Sequence, residues 1–308
     1  MLRLVLKILL ACAFLFFIFR AVDVSKVIYI MRDQNSVLLI WPVCSVPVWI
    51  FLKTLKWHIL LRTYLKDIPF FHVIRSLLSG LAIGMMTPGK VGELSRSLFL
   101  PAENRSRVAG LTILDRYLEL LALLFLASFG VARFFGVIWG LLMCLSGLVG
   151  VGMLFLSRRL IERARFAKRS HFLVDKLREM LKAAEGISWT VFMQSFVLSM
   201  AVFFISILTS YSLLLSFTHI PFSVSLNVFP LSLMTNILPI TLGNLGVREG
   251  ATILLLNHYG VAKEVSLNIS LSLFVLHSLV PSLVGITLMQ WGSTRRKRSR
   301  PHSSVKTG

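Results

Sequence analysis

Apolar residues come in long runs separated by short polar links. The runs over residues 8–19, 36–52, 108–129, 136–156, 190–217 and 265–289 predict about six membrane-spanning helices, since a crossing takes roughly 20 apolar residues. Two further runs, 76–86 and 223–238, are shorter, and each is followed by a proline, Pro88 or Pro239. The first has eleven residues; at about 1.5 Å per residue such a helix reaches only halfway through a hydrocarbon core of ~30 Å. Both prolines are followed four residues later by a glycine, Gly92 or Gly243, and then by a close Glu and Arg: Glu93 with Arg96, and Arg248 with Glu249. Helix breakers next to charges at membrane depth are tolerated only where protein or a water-filled cavity surrounds them. The two stretches therefore read as two copies of one device that builds a site.

The polar links orient the runs. Arg20, Lys26 and Arg32 are nearly balanced by Asp23 and Asp33, which suits the outside, whereas Lys53, Lys56, Arg62, Lys66 and Arg75 face only Asp67, which suits the cytoplasm. Lys90, Arg96, Arg105 and Arg107 follow the first device, and they fall on the cytoplasmic side if that device dips in and returns. The link at 218–222 has no Lys or Arg, so the second device dips from the outer side. Two similar re-entrant broken hairpins of opposite orientation are the pattern of an inverted repeat with a binding site near the midplane. The fold expected is an all-α polytopic membrane protein of about six transmembrane helices plus these two hairpins, with both termini cytoplasmic. Residues 1–291 form the membrane domain, 157–189 a basic cytoplasmic linker and 292–308 a basic, disordered tail. The first run resembles a signal peptide, but it continues past Cys12 and is read as an uncleaved helix.

Composition agrees. The hydrophobic fraction is 56% and the mean hydropathy +0.80, above the about 45–50% apolar usage of soluble domains; no soluble catalytic domain fits. The net charge of +20 sits at the ends of apolar runs, which points to membrane topology and away from nucleic acid. Cys12, Cys44 and Cys144 all lie within apolar runs and predict neither a disulfide framework nor a metal centre. No cofactor is expected.

In each device the proline stops a helix, while Gly89, Gly92, Gly243 and Gly246 permit tight turns and close approach. A helix restarting at Gly92 or Gly246 presents free N–H groups suited to phosphate. Arg96 and Arg248 add planar, bidentate recognition, and Glu93 and Glu249 neutralise them, contact an amine or carry a proton. The alternative is that these charges pin the hairpin tips through buried salt bridges. Asn236, which opens the second stretch, joins the candidate set. Asp115 and Glu119 are four apart on one helical face, and Arg116 is placed to pair with Glu119; the trio serves either as a neutralised helix clamp or as part of the site.

The run Lys56-Trp57-His58-Ile59-Leu60-Leu61-Arg62, the Pro88–Arg96 stretch, Leu114-Asp115-Arg116-Tyr117 and the stretch from Leu238 to Gly250 resemble, in order and spacing, the lysylphosphatidylglycerol synthase transmembrane family. That family includes the flippase-like region of the bacterial multiple peptide resistance factors. The resemblance implies an inner-membrane protein, not an enzyme, that moves an amphipathic lipid with an anionic or zwitterionic headgroup between leaflets. Membrane lipids are the partners it implies, with further copies of the chain or enzymes of envelope-lipid synthesis beside them. Asp115 stands where the family usually has Glu, and Asn244 where it usually has Gly. The aminoacyl-transferase domain of the full-length factors is not in the sequence, so synthesis of the lipid is not expected. A non-transporting partner that presents a lipid-linked substrate to a glycosyltransferase is the alternative reading.

Overall fold

A computed structural model describes residues 36–100, 105–164, 186–237 and 245–298. The first expected span, Pro239, Gly243, the centre of the basic linker and the end of the tail lie outside the described residues. Among those described, every regular element is helical. Helices α1 (Ile40–Leu61), α2 (Phe70–Met85), α3 (Arg105–Phe135), α4 (Val137–Ala164), α5 (Trp189–Leu215), α6 (Phe222–Met234), α7 (Val247–Asn257), α8 (Lys263–Phe274) and α9 (Val280–Arg298) follow in order. A 3-10 arm, Pro88–Phe99, follows α2, and a π-helical turn, Val275–Leu279, joins α8 to α9. Among the described residues four stretches are long and apolar enough to cross a membrane: Val37–Leu61, Arg105–Phe135, Trp189–Leu215 and Lys263–Gln290. Val137–Gly152 forms an apolar stretch of α4. The protein is thus an all-α polytopic membrane protein.

One boundary differs from the sequence expectation in a way that matters. The run expected to end at Leu52 continues as helix to Leu61, so Lys53 and Lys56 lie inside a span and not on a cytoplasmic link. With 22 residues, α1 is about 33 Å long, and the lysines fall in its second half.

The first hairpin is present. Its descending helix α2 begins after Pro69, whose extended backbone (φ −62°, ψ 137°) cannot continue a helix backwards, and ends before Pro88. The arm then runs back along it. Ser76 Oγ donates to the Arg96 carbonyl at 2.9 Å, a Cβ on Gly80 would stand 2.2 Å from Arg96 Cγ, and one on Gly84 would stand 2.4 Å from Glu93 Cγ. Ser76, Gly80 and Gly84 recur every four residues on one helical face and give the arm its seat, as small residues do at close helix contacts in membranes.

Two apolar clusters mark the ends of the bundle. At one end Trp57, Leu60 and Leu61 of α1 pack with Val73, Leu100, Val108 and Phe192, and the Arg107 guanidinium lies 5.4 Å from the Tyr64 ring; the base of the first hairpin is here. At the other end Leu213 and Leu214 of α5 pack with Val224, Leu256, Val261 and Phe134. The Phe134 ring at the C-terminal end of α3 lies 5.3 Å from that of His258, so the base of the second hairpin, α6 and α7, is at the opposite end of α3. The two hairpins therefore enter from opposite ends, and between the apolar clusters lies a charged middle layer.

Candidate functional site

The middle layer is an ion cluster contributed by three spans and one hairpin arm. Lys56 Nζ lies 2.8 Å from Asp115 Oδ1 and 2.8 Å from Glu119 Oε1, and it donates to Ser199 Oγ of α5 at 3.3 Å. Lys53 Nζ lies 2.9 Å from Glu119 Oε1. Arg96 donates to Asp115 Oδ2 and to Glu93 Oε2, both at 2.7 Å, and its guanidinium stacks 5.2 Å from the Trp57 ring. Arg116 reaches Glu119 Oε2 at 2.6 Å and pairs with Glu93 as well. Lys56 is 1% exposed and Arg96 0%. Charges so far from water persist only when each has several partners, and here each does.

Beside this cluster, between the tip of the first hairpin and the described arms of the second, is a cavity of about 460 Å³. The first hairpin contributes Lys90 and Glu93, α3 contributes Arg116 and Glu119, α1 contributes Lys53, and the second hairpin contributes Asn236 and Arg248. The remaining wall is largely apolar, including Ile113, Leu123, Phe203, Leu233 and Leu273. A smaller recess of about 60 Å³ shares Lys53, Lys90, Glu93, Arg116 and His277 with it.

Lys90 stands at the turn of the first hairpin with φ 56°, in the left-handed region, where a residue with a Cβ costs about 1–2 kcal/mol. Such strain is held in place by its surroundings and is common at binding sites. Across the cavity, Arg248 pairs with Glu249 and approaches the Ser270 carbonyl at 3.4 Å, its guanidinium lying 5.3 Å from the Phe274 ring. Gly246 adopts φ 88°, and its N–H donates to Glu249 Oε2 at 2.7 Å, so Glu249 caps the N-terminus of α7 with its carboxylate.

The sequence candidates divide by depth. Glu93, Arg116, Glu119, Asn236 and Arg248 border the cavity. Arg96 and Asp115 lie in the ion cluster, and Glu249 is fully buried against α7 and α8. Gly92 closes the first turn: its N–H donates to Thr87 Oγ1 at 2.7 Å, and helix resumes at Pro88, four residues earlier than the restart expected at Gly92. Pro88 and Gly89 open that arm. Gly246 precedes α7, which begins at Val247 as expected. Pro239 and Gly243 lie outside the described residues.

Lys53, Lys56, Lys90, Ser199 and His277 were not among the candidates. A signal for His277 exists in Pro281: proline has no N–H to give the carbonyl four residues back, which is that of His277, and its ring crowds it. The π-helical turn Val275–Leu279 occupies that position, as such turns often do at functional sites. His277 stacks on Trp49 at 5.2 Å, and Lys53 Nζ lies 4.6 Å from the centre of the same Trp49 ring.

Opposed broken hairpins, a buried ion cluster and a cavity lined by both cationic and apolar side chains define a polytopic membrane protein with a central amphipathic site. The chain matches the family described as Lysylphosphatidylglycerol synthase TM region over residues 4–285, and it belongs to that family. No curated protein matches it.

Proposed function

We propose that this protein moves a lipid between the leaflets of the inner membrane, its headgroup passing through the central cavity while the acyl chains stay in the bilayer, with both termini in the cytoplasm. Membership of the family supports a role with membrane lipids. The observation that carries the reading is that the first hairpin's tip and the residues flanking the second hairpin's break, Asn236 and Arg248, line one cavity of about 460 Å³ in which Lys53, Lys90, Arg116 and Arg248 stand among largely apolar residues. Alternating exposure of such a midplane site is the way inverted-repeat transporters work. The carboxylates support binding over catalysis: Glu93 is held by Arg96 and Arg116, and Glu119 by Lys53, Lys56 and Arg116. Neither is free to act as a base.

The test is transport of a labelled phospholipid in liposomes that contain the purified protein and no other. The native chain is expected to transport it, and Arg248→Gln to transport it about tenfold more slowly, the size of effect of one charge–phosphate contact. Native protein that binds lipid but leaves it in its original leaflet sinks the transport reading and favours a partner that presents the lipid to an enzyme.

A further inference from the structure

The cavity has a charge surplus that limits which headgroup it can take. Four cations border it, Lys53, Lys90, Arg116 and Arg248, against two carboxylates, Glu93 and Glu119. Behind it Lys56 and Arg96 face Asp115, and Arg248 is itself paired with Glu249, so cavity and layer together set six cations against four carboxylates. Each ionised group in its ordinary state leaves two positive charges without a carboxylate among the described residues. Lys53, Lys90 and Arg116 meet beside Glu93 in the smaller recess, where Lys53 and Arg116 are also paired with Glu119. Lys90 makes no ion pair with any described residue, and His277 Nε2, buried on the same recess, has no hydrogen-bond partner there. The segment from Leu238 to Asn244, outside the described residues, carries no ionisable side chain that would change this balance.

Unmatched charge in a site screened from water is costly, and a ligand of opposite charge removes the cost. A phosphodiester brings one negative charge. A phosphomonoester brings about 1.5 to 2 at neutral pH, and a headgroup made cationic by aminoacylation adds to the surplus. We propose that the cavity selects a lipid whose headgroup carries about two negative charges close together, a phosphomonoester or diphosphate, over a cationic aminoacyl lipid. The inference rests on the reading that a lipid headgroup enters this cavity. Lys90 is the specificity-determining residue: it stands at the hairpin tip, unpaired, on a strained backbone that presents its ammonium to the recess.

The experiment is binding to the purified full chain in detergent, with phosphatidic acid, phosphatidylglycerol, lysylphosphatidylglycerol and inorganic phosphate as separate probes. Phosphatidic acid is expected to bind at least about tenfold more tightly than lysylphosphatidylglycerol, with phosphatidylglycerol between them and millimolar inorganic phosphate failing to displace it. Lys90→Asn, which removes the charge while tolerating the left-handed backbone, is expected to erase most of that ratio at unchanged thermal stability, and Lys90→Arg to keep it. Equal or tighter binding of lysylphosphatidylglycerol overturns the charge selection and leaves the lipid reading standing. Displacement by inorganic phosphate, or failure of every lipid to bind, overturns the lipid reading itself. Should Lys90→Asn fail to fold, the order of the probes on the native chain still decides.

Discussion

Lys56→Met is expected to destabilise the protein by about 3–5 kcal/mol, the usual cost of removing one partner from a buried ion pair. The reason is what it leaves behind. Lys56 Nζ holds Asp115 and Glu119 together at 2.8 Å each while almost wholly buried. Without it, two carboxylates that lie one helical turn apart on α3 repel each other in a medium that screens little. Arg96 stays with Asp115, and Lys53 and Arg116 stay with Glu119, so the fold is expected to loosen at the junction of α1, α3 and α5 before it is lost. The check is unfolding in detergent, combined with Asp115→Asn in a double-mutant cycle. The pair in contact is expected to be non-additive by about 0.5–3 kcal/mol, the double variant being more stable than the two single losses predict. A loss below about 1 kcal/mol, the range of exposed pairs, would show that water reaches Lys56.

How much of this site the sequence revealed depends on how local each signal is. A proline at the end of an apolar run with Gly, Glu and Arg behind it breaks a helix wherever the rest of the chain lies, so both hairpins were legible, as was the Arg116–Glu119 pair three residues apart on α3. Lys53 and Lys56 were not. A lysine at the end of an apolar run looks the same whether it faces the cytoplasm or a carboxylate, and Glu119 is 63 residues from Lys56 along the chain. The depth of Arg96 was illegible for a related reason. In a 3-10 arm residues three apart line up, so Lys90, Glu93 and Arg96 form one row down the hairpin. Only the packing of that row against Gly84 and then Gly80 shows which member reaches the cavity and which lies in the ion cluster beside it. The spacing of Ser76, Gly80 and Gly84 was itself a signal: small residues every fourth position ask for a close neighbour.

Gly92→Ala is expected to force the first hairpin open, because the added carbon has nowhere to go. A Cβ at Gly92 would stand 2.5 Å from the Ile83 carbonyl oxygen, 2.7 Å from its carbon and 2.6 Å from Thr87 Oγ1. Two of these are backbone atoms of α2, and the third accepts the Gly92 N–H that closes the turn, so no side chain can swing aside to relieve the contact. Overpacking of this kind costs about 1–3 kcal/mol. Its effect on function is expected to be larger than its effect on stability, since the arm that must shift carries both Lys90 and Glu93 to the cavity wall. Lipid transport in liposomes is expected to fall by about tenfold or more, because misplacing charged groups in a preorganised site forfeits most of their interaction. Gly250→Ala is the matched control. It lies within α7, an arm of the other hairpin, a Cβ there meets nothing within 4 Å, and replacing a helical glycine by alanine is expected to stabilise by about 0.5–1 kcal/mol. If Gly92→Ala and Gly250→Ala behave alike in both unfolding and transport, the tip of the first hairpin is not closed against α2, and the cavity wall it builds is not the one the lipid meets.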